Sequence, residues 1–172
     1  MKYNIEPTNK ELVMRESDFI VSKTDAKGRL TYANRIFIEF SKYSEEELLG
    51  KQHNIIRHPD MPRGVFKLLW DTLSQGKEIF AYVKNMSKDG SFYWVIANVT
   101  PSYDLQGKLI GYYSVRRKPK PESIAIVEEL YKSMLVVERS TGSKNAAEAS
   151  LKLVSDLLVD KGVTYEEFIL SI

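Results

Sequence analysis

The 172-residue chain has no cysteine, and only two histidines and two tryptophans. Without cysteine there can be no disulfide, thiolate zinc site, iron–sulfur cluster or cysteine nucleophile, and a reducing compartment is compatible with the composition. His53 and His58 are five apart in a proline-bent connector, not at the i,i+4 spacing of a helical zinc pair, so a metal site has little to build on. No stretch approaches the roughly 20 apolar residues that span a bilayer. The opening MKYNIEPTNKELVMRESDF lacks the apolar core of a signal peptide. The expectation is a cytoplasmic chain with no membrane insertion of its own. A formal net charge of +2 is too near neutrality to point to nucleic acid. No P-loop, G-x-G-x-x-G or nucleophile–base set is present, so no enzyme is expected.

What is present suits one globular unit with an appendage: 43% hydrophobic and 28% charged residues. Residues 1–17 are polar and mixed in charge, with a short helix expected around Asn9–Arg15. From Asp18 two β-rich runs, FIVSKTD and LTYANRIF, flank a hairpin turn at Asp25–Gly28. Asn34 can cap a helix over Arg35–Ser41, and Ser44 with Glu47 makes a capping box. Phe66, Leu69, Trp70 and Leu73 recur at helical spacing before Gly76. EIFAYVKNMS, SFYWVIANVTPSYD and LIGYYSVRRK then read as a three-strand meander turning at KDG and LQGK. The class is α+β: a five-stranded antiparallel sheet with short helices over one face, which leaves room for a ligand between them. The division expected is 1–17, an amino-terminal cap segment; 18–118, the sheet domain; and 119–172, a helical segment. The helical stripes of the last part suit packing on this chain, docking on a partner or a dimer bundle. TYEEFILSI leaves Phe168, Ile169, Leu170 and Ile172 in need of cover.

One connector stands out. NIIRHPDMPRGVF, from Asn54 to Phe66, sets Arg57, His58 and Asp60 around two prolines. Pro59 and Pro62 restrict φ and bias His58 and Met61 away from helix, so the bend is largely preset. Asp60 is also a plausible N-cap for the next helix, with Pro62 at its first position.

GRLTYAN, YSEEELLGKQHNIIRHPDMP, VKNMSKDGSFYWV and GYYSVRR, in this order and spacing, resemble a PAS domain of the aerotaxis-receptor type over roughly residues 18–118. HNIIRHPDMP is the most specific part. The resemblance implies a redox or energy sensor that binds FAD non-covalently. It also implies signalling to a separate membrane-bound chemoreceptor with a methyl-accepting domain, as in the soluble PAS half of a bipartite energy-taxis receptor. Such a site needs an aromatic slot edged by amides. Phe66, Trp70, Phe80, Tyr93 and Trp94 are candidates for the slot, while Asn34, Asn85 and, more weakly, Asn98 are candidates for the edge. Arg57, His58 and Asp60 are expected around the ring or its phosphates, with Asp60 orienting Arg57 or His58. Asn85 can exchange donor for acceptor by flipping, a natural coupling point to the sheet. Phe80 departs from the family pattern, where a tryptophan is common. The rival readings are a haem-binding PAS gas sensor, through His53 or His58, and a ligand-free PAS adaptor.

Overall fold

The computed structural model describes residues 5–172; the first four residues of the expected cap segment lie outside the described residues. Strands β1 (Ile20–Asp25) and β2 (Leu30–Ala33) form the first hairpin. The Asp25 carboxylate accepts the N–H groups of Lys27 and Arg29 at 2.8 and 2.9 Å, and Gly28 takes the left-handed φ of 77° that the tight turn requires. Helix α1 (Arg35–Ser41), helix α2 (Glu45–Leu48), a 3-10 turn (His53–Ile56) and helix α3 (Arg63–Ser74) follow. Strands β3 (Ile79–Met86), β4 (Phe92–Tyr103) and β5 (Leu109–Arg117) complete an antiparallel sheet in the order β2-β1-β5-β4-β3. The chain ends in α4 (Pro121–Thr141), α5 (Ala146–Lys161) and α6 (Tyr165–Ser171). Among the described residues no helix is long and apolar enough to cross a membrane.

Because strand side chains alternate, the sheet has two distinct faces. One face joins a core containing Ile20, Ala33, Phe37, Phe40, Leu48, Ile56, Tyr93, Val95 and Ala97, beneath α1, α2 and the 3-10 turn. Tyr82 and Trp94 point the other way, into a second core with Val127, Tyr131, Met134, Val154, Phe168 and Ile169 of the last three helices. There the Tyr131 hydroxyl donates to the Tyr82 carbonyl at 2.7 Å, and the Trp94 and Tyr131 rings lie 6.2 Å apart.

Two expectations change, and one left open is decided. The Asn9–Arg15 stretch is extended, not helical. It runs beside the start of β4, with Leu12 N–H donating to the Phe92 carbonyl at 2.7 Å and Phe92 N–H to the Lys10 carbonyl at 2.9 Å. An exposed Val13 between the core-packed Leu12 and Met14 is the period-two pattern of that pairing, which outweighs local helix propensity. The apolar carboxy terminus is covered by its own chain: Phe168 and Ile169 are buried, and of the apolar residues of α6 Leu170 stays exposed. Asp60 caps nothing. Helix α3 starts at Arg63 with Pro62 as its N-cap and no side-chain cap from its own strand of chain.

Candidate functional site

Between the sheet and the helices lies a cavity of about 260 Å3. Helix α3 supplies Phe66, Leu69, Trp70 and Leu73; β3 supplies Val83 and Asn85; β4 supplies Ala97 and Val99. Ser22 and Thr24 of β1, Tyr112, Ser114 and Arg116 of β5, and Gln52, His53, Asn54, Ile56 and Arg57 around the 3-10 turn close it. The walls are mostly apolar, and the Trp70 ring meets Tyr112 edge-on at 5.3 Å. Gln52, Asn54 and the 46%-exposed Trp70 form a solvent-facing rim.

Three polar atoms on this wall are not satisfied by the protein. Thr24 Oγ1, Asn85 Nδ2 and Arg116 Nε are buried and have no hydrogen-bond partner among the described residues. Leaving a buried polar atom unpaired costs on the order of 1–3 kcal/mol, so three on one cavity is a demand for an occupant that supplies acceptors and a donor.

The cavity is also positively charged. Arg116 is 2% exposed, yet its guanidinium meets only the Ser22 hydroxyl, His53 Nε2 at 3.4 Å and the face of Phe37 at 4.6 Å. Arg57 donates to the Met61 carbonyl at 2.9 Å and stacks over Phe66 at 4.2 Å. Among the described residues no Asp or Glu lines the cavity, and neither arginine has a carboxylate within ion-pair distance. Burial lowers the pKa of both, that of Arg116 to about 10, so both stay charged at neutral pH. His53 is the opposite case: burial and the adjacent Arg116 lower it to about 3. Neutral His53 then accepts at Nε2 from Ser22 Oγ, 3.2 Å away, while that oxygen accepts from Arg116.

The structure brings Arg57, Phe66, Trp70 and Asn85 together on the cavity, and Arg57 and Asn85 pair across an isolated bridge. The other expected site residues lie elsewhere. Asn34 spends its amide on the fold: Oδ1 accepts from Val21 N–H and Phe37 N–H, each at 3.0 Å, and Nδ2 donates to the Phe19 carbonyl at 2.8 Å. His58 packs edge-on against Phe92 and its Nδ1 accepts from Asp60 N–H at 3.1 Å. Burial, reinforced by Lys84, lowers its pKa to about 4. Asp60 pairs with Lys84 at 2.7 Å rather than with Arg57. Phe80 and Trp94 belong to the second core on the far face, so the departure at position 80 falls away from this cavity. Tyr93 is buried beneath the cavity face without lining it, and Asn98 donates to Glu78 on the exposed side. Arg116, Ser22 and Thr24 were absent from the sequence-based set, and His53 entered it only as a metal or haem ligand. The available signal was alternation, since Tyr112, Ser114 and Arg116 share one face of β5.

A five-stranded sheet with short helices and a 3-10 turn closing over one face, and a cavity between, defines a fold of the PAS type. The family model described as PAS fold matches residues 30–116, and the chain belongs to that family. It is 37% identical over 155 residues to an aerotaxis receptor of Escherichia coli K12, a match covering 90% of this chain and 28% of the relative. A nitrogen fixation regulatory protein of Klebsiella pneumoniae is 30% identical over 105 residues, 61% of this chain and 21% of that protein. The chain thus spans about a quarter of the length of these relatives. Among solved structures, the dark state of the blue-light photoreceptor Aureochrome1 LOV superposes with a TM-score of 0.54 at 23% identity, covering 70% of this chain and 85% of that one. A PAS domain from Colwellia psychrerythraea gives 0.50 at 20% identity, covering 59% and 86%.

Proposed function

We propose that this chain is a redox sensor that holds FAD non-covalently, with the ring system in the cavity over the sheet. The observation that carries the reading is the cluster of unpaired polar atoms, Thr24 Oγ1, Asn85 Nδ2 and Arg116 Nε, on a cavity that α3 and the sheet also line with Phe66, Leu69, Trp70, Val83 and Val99. A flat heteroaromatic ring with carbonyls and ring nitrogens on its edge offers acceptors to Asn85 and Arg116 and apolar faces to Phe66, Leu69 and Val83. Bound flavin supplies reversible electron transfer. The residues of the chain supply the bias, because two guanidiniums with no carboxylate in ion-pair contact favour a bound group that gains negative charge. Asn85 can answer a change at the ring edge by exchanging its donor for its acceptor, and it does so from within β3.

A cavity of about 260 Å3 falls just below the roughly 300–1,000 Å3 of ligand pockets, a space for a ring system and too small for a whole dinucleotide. The ribityl, phosphate and adenosine parts leave past the rim of Gln52, Asn54 and Trp70. The similarity to an aerotaxis receptor supports energy taxis as the setting. In this reading the chain is cytoplasmic and passes its state to a separate membrane-bound chemoreceptor with a methyl-accepting domain.

The test is a titration of flavin-stripped protein with FAD, FMN and riboflavin, followed by quenching of flavin fluorescence. Saturable binding of all three, tightest for FAD and weakened at least tenfold in Arg57→Ala and Asn85→Ala, is the expected result. Absence of binding by the unmodified chain refutes the reading.

A further inference from the structure

Helix α3 has the cavity on one side and the carboxy-terminal helices on the other, and its amino-terminal end is completed by a residue 74 positions away. Gly64 N–H, left over in the first turn because Pro62 offers no side-chain cap, donates to the Glu138 carboxylate of α4 at 3.0 Å. The same Glu138 oxygen accepts from the Ser150 hydroxyl of α5 at 2.6 Å, and Glu138 is only 9% exposed. A buried carboxylate at a helix N-terminus, hydrogen-bonded from two elements, fixes three helices at one point. The backbones are pressed together there. A Cβ on Gly64 would lie 2.3 Å from Ser150 Oγ and 3.0 Å from both the Leu151 nitrogen and Met134 Cε. Arg63 reaches the Ser143 carbonyl at 3.2 Å, and Val65 enters the core shared with Val127, Met134 and Val154.

On the cavity side the same helix places Phe66 under the Arg57 guanidinium at 4.2 Å. The Glu138 carboxylate also attracts Arg57 electrostatically. Arg57 therefore lines the cavity while the charges of Glu138 and Arg63 act on it in opposite directions.

We infer that α4–α6 are a docked module seated on α3, that Glu138 is the positioning residue of that seat, and that occupancy of the cavity and seating of the module form one linked equilibrium. The inference rests on the cavity being a flavin site. Linkage makes the effect reciprocal: whatever factor the seat adds to ligand affinity, the ligand adds to the stability of the seat.

The experiment uses the full chain, FAD as probe, and the variants Gly64→Ala, which wedges α5 off α3, and Glu138→Gln, which keeps the shape and removes the charge. Amide hydrogen exchange is followed in α4–α6 with and without FAD, alongside the FAD dissociation constant and the midpoint potential of bound FAD. In the unmodified chain FAD slows exchange in α5 and α6. In Gly64→Ala exchange there is faster, the protection by FAD is lost, and FAD binds about fivefold or more weakly. Glu138→Gln shifts both in the same direction and makes the midpoint potential more positive, the sign expected when a carboxylate facing Arg57 is neutralised; it carries the test if Gly64→Ala does not fold. Unchanged affinity and potential in the variants, with FAD still bound by the unmodified chain, overturns the inference and leaves the flavin site standing. An unmodified chain that takes up no FAD removes both, and the two failures are told apart by that control.

Discussion

The two faces of the sheet are built from the same strands and solve opposite problems. On the far face Tyr82 and Trp94 are packed against Val127, Tyr131 and Met134, and the buried tyrosine hydroxyl finds a carbonyl at 2.7 Å. On the near face Asn85 and Arg116 are buried with donors unused, around a space the protein leaves unfilled. One face is spent on stability. The other gives stability up, because unpaired polar atoms and a buried guanidinium without a carboxylate both work against folding. Sites that hold a ligand commonly carry such a debit, and the contrast separates the site from the scaffold more sharply than any motif does.

Substitutions can break this contrast. The largest effect is expected from Trp94→Ala on the far face, which opens a cavity in the second core and costs about 3–5 kcal/mol in denaturant unfolding. Trp94 does not reach the cavity, so FAD binding by the folded fraction should weaken only through looser seating of α4–α6, by no more than in Gly64→Ala. Arg116→Met is the mirror case. It should weaken FAD binding tenfold or more, about 1.4 kcal/mol or greater, while the melting temperature of the flavin-free protein holds or rises as an unpaired buried charge is removed. If instead it unfolds the chain and spares binding, the assignment of faces is wrong. Asn34→Ala comes next: loss of its cap and strand contacts should cost about 1–2 kcal/mol in thermal melts, with no change in FAD affinity.

The smallest effect is a pH dependence. His53 and His58 have folded pKa values lowered from 6.5 to about 3 and about 4, so the unfolded chain binds protons first. Their contribution to stability is complete above about pH 6.5 and is lost as pH falls towards the folded values. The lowered carboxylates of Asp25 and Glu47, with ordinary values of 3.8 and 4.5, add their own loss only at lower pH. Melts of the flavin-free protein between pH 6.5 and 4.5 should therefore slope downwards, and His53→Gln should flatten that slope.

Much of the fold was legible because its signals are local. The Asp25–Gly28 turn, the Asn34 cap and the Ser44–Glu47 box each depend on residues a few positions apart, and each forms as read. The amino-terminal strand was not legible, because its partner Phe92 lies some eighty residues on. The site was read in part. Arg57, Phe66, Trp70 and Asn85 reach the cavity, but Phe80 and Trp94 were grouped with Asn85 by residue type when alternation separates them. Phe80 is an odd number of positions from Asn85 on one strand, and the register pairs Asn85 with Tyr93, turning Trp94 to the other face. Arg116 was missed because VRRK reads as a solvated basic run; only the register of β5 against β1 and β4 turns its first arginine inwards. Glu138 was invisible for a different reason, as its partners Gly64 and Ser150 meet it only once three helices have docked.

The central claim is tested most directly by the visible absorption spectrum of protein purified from flavin-replete cells, with mass analysis of what heat releases. The account predicts a broad pair of bands in the near-ultraviolet and blue and the mass of FAD. A colourless preparation that also fails to take up added FAD, or a sharp haem band in its place, would contradict it.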